Sequence, residues 1–155
     1  MQPAADLSPS AQSAICEALN QSVAETVVAT MLAQNFHWNV TGMAFGPLHA
    51  LFQEIYEDHF VAQDDLAERI KALDGHAEGQ LSAMLSRSKV TEHDGHADAQ
   101  TMIEAMKTAQ ETLAATVGAA GALAAEHGDT LTEDLCIARG QTHEKFAWML
   151  RAHLR

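Results

Sequence analysis

The chain has 155 residues, 47% hydrophobic and 5% aromatic, enough for one domain with a sizeable core. Many alanines, three prolines and no alternating β-branched runs point to an all-α fold. A formal net charge of −12 implies an acidic surface or an acid-lined interior and argues against intrinsic affinity for nucleic acid.

Residues 1–30 carry no basic residue and no apolar run of secretory length, so no signal peptide or membrane span is expected and the cytoplasm is the default location. Residues 1–7 read as a flexible tail on a single domain spanning 1–155. A first helix is expected from Ser8-Pro9, a cap residue followed by proline, to about Trp38. Cys16 and Cys136 have no C-x-x-C spacing and read as buried, reduced thiols. Gly46-Pro47 closes a loop, and nothing then breaks the helical pattern until Gly75, so a second helix is expected over Pro47 to Asp74. Leu48, Leu51, Phe52, Ile55, Ala62, Leu66, Ile70 and Leu73 share an arc roughly 100° wide on it, its core face. His59 lies within that arc and reads as a hydrogen-bonded core histidine.

The following stretch is richer in glycine and polar groups, with room for one short helix from about Gln80 to Ser86. His93 and His96 flank Asp94 in a loop, either as surface histidines or as an adventitious metal site. A third long helix is expected from Asp98 to His127, with Gly118 and Gly121 as candidate points of close helix packing. Gly128-Asp129 ends it, and Thr130 to Glu133 reads as a capping box opening a fourth helix that runs to about His153. Four long amphipathic helices without repeats or linkers make a four-helix bundle.

On the second helix His49, Asp64 and Glu68 fall within roughly 100° of one another, beside the core stripe. Asp64 and Glu68 are one turn apart and can serve one ion. His49 is about 22 Å away along the axis. A single metal site therefore needs two chains, with the helix crossing its copy antiparallel near Tyr56 and Glu57, and a two-fold axis there makes two equivalent sites. His37, twelve residues before His49, can join it across the loop, with Trp38 alongside to pack or intercept radicals. Such N and O ligands suit iron(II), zinc or manganese(II). The same residues are also explained as interface histidines and a solvated helix face. Glu54, Glu57, Asp58 and Asp65, roughly opposite the core stripe, are either a surface that collects iron(III) and seeds mineral or an ordinary acidic face. No glutamate has a histidine three residues on, which counts against an iron site inside one bundle built from Glu-x-x-His pairs.

The series His37-Trp38, then His49, then Asp64 and Glu68 within D-x-L-A-E-R-I resembles the signature of the Dps family, the ferritin-like mini-ferritins also called DNA-binding proteins from starved cells. The likeness runs from about residue 15 to the C-terminus and includes Glu144-Lys145 and the stretch Ala147 to Leu154. It implies a ferritin-like four-helix bundle with a short extra helix between the second and third long helices, assembled into a homo-oligomeric shell of twelve subunits from two-fold dimers. It also implies a ferroxidase centre shared between subunits and formed by His37, His49, Asp64 and Glu68. Its substrate would be iron, as one ion or two per site, with other divalent metals such as zinc able to substitute. The expected oxidant is hydrogen peroxide in preference to dioxygen. Iron entry would be at three-fold pores near the start of the fourth helix, where Asp134 matches and Asp129 and Glu133 are neighbours; acids there also suit the helix dipole without any pore. Two departures stand out. Gln53 occupies a position where many members carry an acid, and the first basic residue is Arg69, so the lysine-rich tail of DNA-condensing members is missing and DNA binding is not expected. The rival readings are a non-catalytic acidic cage and a DNA-compacting member of the same fold.

Overall fold

A computed structural model describes residues 6–155 and, among them, five helices and no strand: α1 (Pro9–Asn39), α2 (Phe45–Ala72), α3 (Leu81–Arg87), α4 (Ala99–Glu126) and α5 (Thr130–Ala152). Helix starts follow local chemistry. The Ser8 hydroxyl accepts the Ala11 N–H with Pro9 in first position, and the Asp98 carboxylate accepts the Thr101 N–H. The fourth long helix is capped one residue earlier than the sequence suggests: Asp129, not Thr130, accepts the Thr132 N–H, and Thr130 is the first helical residue. Asp129 wins because its charged oxygens also bind Arg69 and the Thr132 hydroxyl. α2 begins at Phe45 rather than Pro47; a proline at the third position still falls in the turn whose N–H groups have no helical acceptor. Of the expected tail, residues 1–5 lie outside the described residues, and Leu7 packs against the core.

The short loop 40–44 makes α1 and α2 an antiparallel hairpin, and residues 127–129 do the same for α4 and α5. α1 joins the hairpins by packing along α4, while α3 lies against α1. This is a four-helix bundle with the short helix between its second and third long members, as expected. All eight core-stripe positions of α2 are buried. Phe36, Phe52, Met102, Met106, Leu113 and Leu150 fill one end, and Ile15, Leu19, Leu66, Ile70 and Cys136 the other. Close packing occurs at Gly121, where an added Cβ would come 3.0 Å from Cys136 Cβ, but not at Gly118, which faces open space. Both cysteines are free and buried, and burial pushes the Cys136 thiol up to about 11.

α2 and α5 touch only narrowly, and a closed polar ring bridges them inside the bundle. His59 Nδ1 donates to Asp58 (2.9 Å), Gln110 Nε2 donates to His59 Nε2 (2.9 Å), and His143 Nδ1 donates to Gln110 Oε1 (2.8 Å). Arg139 completes it, with a long contact to His143 Nε2 (3.4 Å) and two bonds to Asp58 (3.1 and 2.8 Å). His59, Gln110 and His143 are fully buried. The directions close only with both imidazoles neutral. Burial would raise the Asp58 carboxyl, but bonds from His59 and Arg139 hold it well below the usual range. Burial also depresses His59, and burial with the nearby Arg139 charge takes His143 down to about 2.

A depressed histidine leaves the unfolded chain binding more protons as pH falls, so its stabilising effect is complete above the unfolded value near 6.5 and is lost below it. Stability at fixed protein concentration is expected to fall by roughly 1.4 kcal/mol per pH unit per buried histidine below about pH 6. Urea midpoints at pH 7.5 and 5 measure this, and His143→Leu should flatten the dependence. A flat profile in the parent would mean that both rings charge within the folded bundle.

Candidate metal centre

His37 stands in the last turn of α1 and His49 in the second turn of α2. Their side chains bond each other's main chain. His37 Nδ1 lies 2.7 Å from the His49 carbonyl, and His49 Nδ1 lies 2.7 Å from the His37 carbonyl. A carbonyl can only accept, so both Nδ1 atoms carry hydrogen, and Nε2 is the ring nitrogen each histidine has left to offer a metal. The rings stack with centroids 3.7 Å apart and planes 16° from parallel. Phe45 stacks on the other face of His49 at 5.0 Å, and Tyr56 meets His37 edge-on at 5.3 Å. The local reason is geometric. Carbonyls in the last turn of a helix lack helical partners, and the five-residue loop brings the start of α2 back beside that of His37. The loop bearing His93 is docked on the same end of α1: Asn35 Nδ2 donates to the His93 carbonyl (2.8 Å), and Gly95, at φ 80°, sits where a Cβ would collide with Asn35.

Asp64 and Glu68 are exposed on α2 and do not meet the histidines of their own chain. Among the described residues no three His, Cys, Asp or Glu side chains are grouped closely enough to hold a metal. The surroundings of Asp64 are largely apolar. Phe60 is 66% exposed and Val61 59%, and Asp64 lines a groove with Val23, Val27, Phe60, Ala67 and Met84. A neighbouring cavity of about 390 Å³ is walled by Met31, Phe60, Leu81 and Leu85 among others. Trp38, beside His37, is 62% exposed. One chain thus carries two separated halves, one with imidazole nitrogens and one with carboxylate oxygens.

The remaining candidates divide. Glu54 and Asp65 are exposed. Glu57 is exposed but accepts a bond from Gln53 Nε2 at 2.8 Å. Asp58 is committed to Arg139 and His59 and so is not a free mineral-facing carboxylate. Asp129 is likewise not free: it is buried, caps α5 and pairs with Arg69 at 2.8 Å. Asp134 is exposed and Glu133 half-buried, so these two keep carboxylates open at the head of α5. His93 Nδ1 accepts the Gly95 N–H (3.0 Å) and its ring meets Phe36 edge-on, which gives that histidine a turn-forming role. Sequence reasoning missed Phe45, Tyr56, Gln110, Arg139 and His143. The spacing of 45, 49 and 56 along one helix edge was the available signal for the first two; the ring partners come from three helices and left none.

The Ferritin-like domain family profile matches residues 16–155. General stress protein 20U of Bacillus subtilis is 34% identical over 140 residues, covering 90% of this chain and 97% of that protein. DNA protection during starvation protein 2 of Bacillus anthracis is also 34% identical over 140 residues, with 90% and 96% covered. Among solved structures, the Dps protein of Vibrio cholerae, described as a member of a broad superfamily of ferritin-like diiron-carboxylate proteins, superposes with a TM-score of 0.91 at 32% identity, covering 96% of this chain and 94% of that one. A Dps protein from Bacillus brevis gives 0.92 at 33%, with 96% and 100% covered. By sequence along nearly its whole length and by the arrangement of its helices, the chain belongs to the Dps family of ferritin-like proteins.

Proposed function

We propose that this protein is a ferroxidase and iron-storage protein, oxidising iron(II) at sites shared by two subunits and keeping the ferric product inside a shell. The observation that carries the reading is the pair of Nε2 atoms left free by His37 and His49, on a chain that displays Asp64 and Glu68 on an exposed face elsewhere, Asp64 beside apolar residues. A two-fold axis crossing α2 near Tyr56 and Glu57 joins the histidine half of one subunit to the carboxylate half of its partner and covers Phe60, Val61 and Met31. Twelve such subunits forming a shell is the assembly we assign, in the cytoplasm.

The ring geometry favours two adjacent iron positions. A metal binds in the plane of its imidazole at about 2 Å from nitrogen. Two rings 3.7 Å apart and only 16° from parallel do not aim their lone pairs at one such point. Asp64 and Glu68 of the partner chain would supply the carboxylate oxygens and, by their charge, favour the ferric ion. Gln53, one turn beyond His49, adds a neutral group where an acid would add charge, so the anionic ligands come from one subunit only. Two iron(II) ions give up one electron each, and hydrogen peroxide accepts both, its O–O bond breaking and two protons being taken up as two waters form. Peroxide is the preferred oxidant and dioxygen the alternative; paired oxidation keeps hydroxyl radicals from escaping, and Trp38 stands beside the site to intercept those that do. Zinc fits the same donors without redox chemistry. Glu54, Glu57 and Asp65, exposed on α2, seed mineral, and Asp134 with Glu133 draws iron in.

Anaerobic iron(II) loading followed by a peroxide pulse tests this directly. Rapid growth of ferric absorbance, with iron retained in a shell-sized particle, is expected. Oxidation no faster than in buffer, with iron precipitating outside an intact oligomer, would leave an acidic cage whose histidines are structural.

Sharing between subunits has its own signature. Chains carrying His37→Ala and His49→Ala should be inactive as a pure assembly, and so should chains carrying Asp64→Asn and Glu68→Gln. Random co-assembly of the two should restore about a quarter of the sites, because half the dimers are mixed and each mixed dimer has one intact centre. No recovery in verified mixed particles would sink the two-chain arrangement.

The acidic balance also predicts that the assembled protein leaves DNA unshifted in a gel at physiological salt. Retention at low protein excess that fades as salt rises would favour a DNA-compacting role.

A further inference from the structure

The histidine pair lies inside a column of four rings, Phe45, His49, His37 and Tyr56, and the outer two have no donor role in the reading above. α2 supplies three of the four. Phe45, His49 and Tyr56 lie within an arc of roughly 40° along one ridge of the helix. His37 enters from α1 between His49 and Tyr56. Both faces of the His49 ring are covered, by His37 at 3.7 Å and by Phe45 at 5.0 Å. His37 is covered by His49 on one side and by the Tyr56 edge at 5.3 Å. With both Nδ1 atoms held by carbonyls, the edge bearing Nε2 is what each ring has left to offer. Neither ring can turn about its Cβ–Cγ bond without losing both its stack and its hydrogen bond.

The two ends of the column differ. Tyr56 is half-buried and packs against the main core, so it is fixed by its surroundings. Phe45 is 45% exposed and is the first residue of α2, where the backbone needs no particular side chain. A large aromatic ring left half in water at a helix start is not accounted for by core packing. The ring contact the single chain gives it is the stack on His49.

We propose that Phe45, with Tyr56 at the opposite end, is a positioning residue of the metal centre. It clamps the stacked imidazoles so that their Nε2 atoms are fixed before any ion arrives, and metal affinity depends on it although it donates nothing to the metal. The inference rests on the proposed shared centre. Pre-organisation by groups beyond the ligands themselves commonly changes metal affinity by about 10-fold to 100-fold.

Cobalt(II) is the probe, because it binds without being oxidised under nitrogen and its visible absorption reports ligand geometry. Phe45→Leu keeps an apolar side chain and removes the ring, while Phe45→Tyr restores the ring. Particle size and helicity are checked for each protein, and Phe45→Met carries the same test if the leucine variant does not assemble. The expected result is an intact Phe45→Leu oligomer that binds cobalt(II) about tenfold or more weakly with an altered visible spectrum, and a Phe45→Tyr protein close to the parent in both. An assembled Phe45→Leu protein with the parent's affinity and spectrum would overturn the clamp while leaving the centre standing. Parent-like cobalt(II) binding in chains lacking both His37 and His49 would remove the centre itself, and the clamp with it.

Discussion

Two hydrogen bonds of 2.7 Å between His37 and His49 set the conditions for everything near them. Each ties a side chain to the other residue's carbonyl, so together they staple the end of α1 to the start of α2 and fix the turn between. A hairpin held only by apolar contact would tolerate small slides, since burial has no direction. Reciprocal hydrogen bonds do not. The same bonds settle the chemistry of the rings, because a nitrogen that donates to a carbonyl is unavailable to a metal and its partner nitrogen is left free. Local folding and metal readiness are one event here.

Deeper in the bundle the ring of Asp58, His59, Gln110, His143 and Arg139 imposes a second constraint of another kind. Buried charges and polar groups contribute little net stability compared with well-packed apolar residues, yet each group left without its partner costs about 1–3 kcal/mol. Such a ring penalises wrong arrangements more than it rewards the right one. Its members come from α2, α4 and α5, and α2 and α5 touch only narrowly. The ring therefore specifies a register that apolar packing would leave loose. It also occupies the bundle interior with neutral imidazoles and a paired carboxylate, none of them free to hold a metal. That agrees with the proposed centre at the α1–α2 edge.

The bundle was legible because its information is periodic. A core stripe repeating every three or four residues survives any uncertainty at the ends, and all eight predicted α2 positions are buried. The positions of His37 and His49 were legible because a short loop joins them. Competition between partners was not. Asp58 and Asp129 look like free acids on a helix, and what removes them from that role is an arginine 81 residues away in one case and 60 in the other. The shift of the cap from Thr130 to Asp129 has the same origin: local chemistry offered two acceptors, and Arg69 chose between them. Phe45 was overlooked for a different reason. A phenylalanine before Gly46-Pro47 reads as loop hydrophobicity, and its value depends on a ring from another turn of the helix lying flat beside it.

Dividing a metal centre between chains has a thermodynamic consequence that follows from the charges on each half. Asp64 and Glu68 sit exposed in the single chain, Asp64 beside Val23, Val27 and Phe60. If a second copy covers that face, the carboxylates lose water, and uncompensated burial of two anions is costly. A divalent cation between the halves offsets that cost and binds the assembled form far better than either half alone. By linkage, whatever binds only the assembled form stabilises it, by about 1.4 kcal/mol for each tenfold excess of free ion over its dissociation constant. Iron binding and dimer closure are then two descriptions of one equilibrium. A neutral Gln53 lowers the number of anions that must be compensated, so the empty interface is less strained than one carrying a third acid. In the proposed centre, the departure that removes one anionic ligand would also ease closure of the interface without metal.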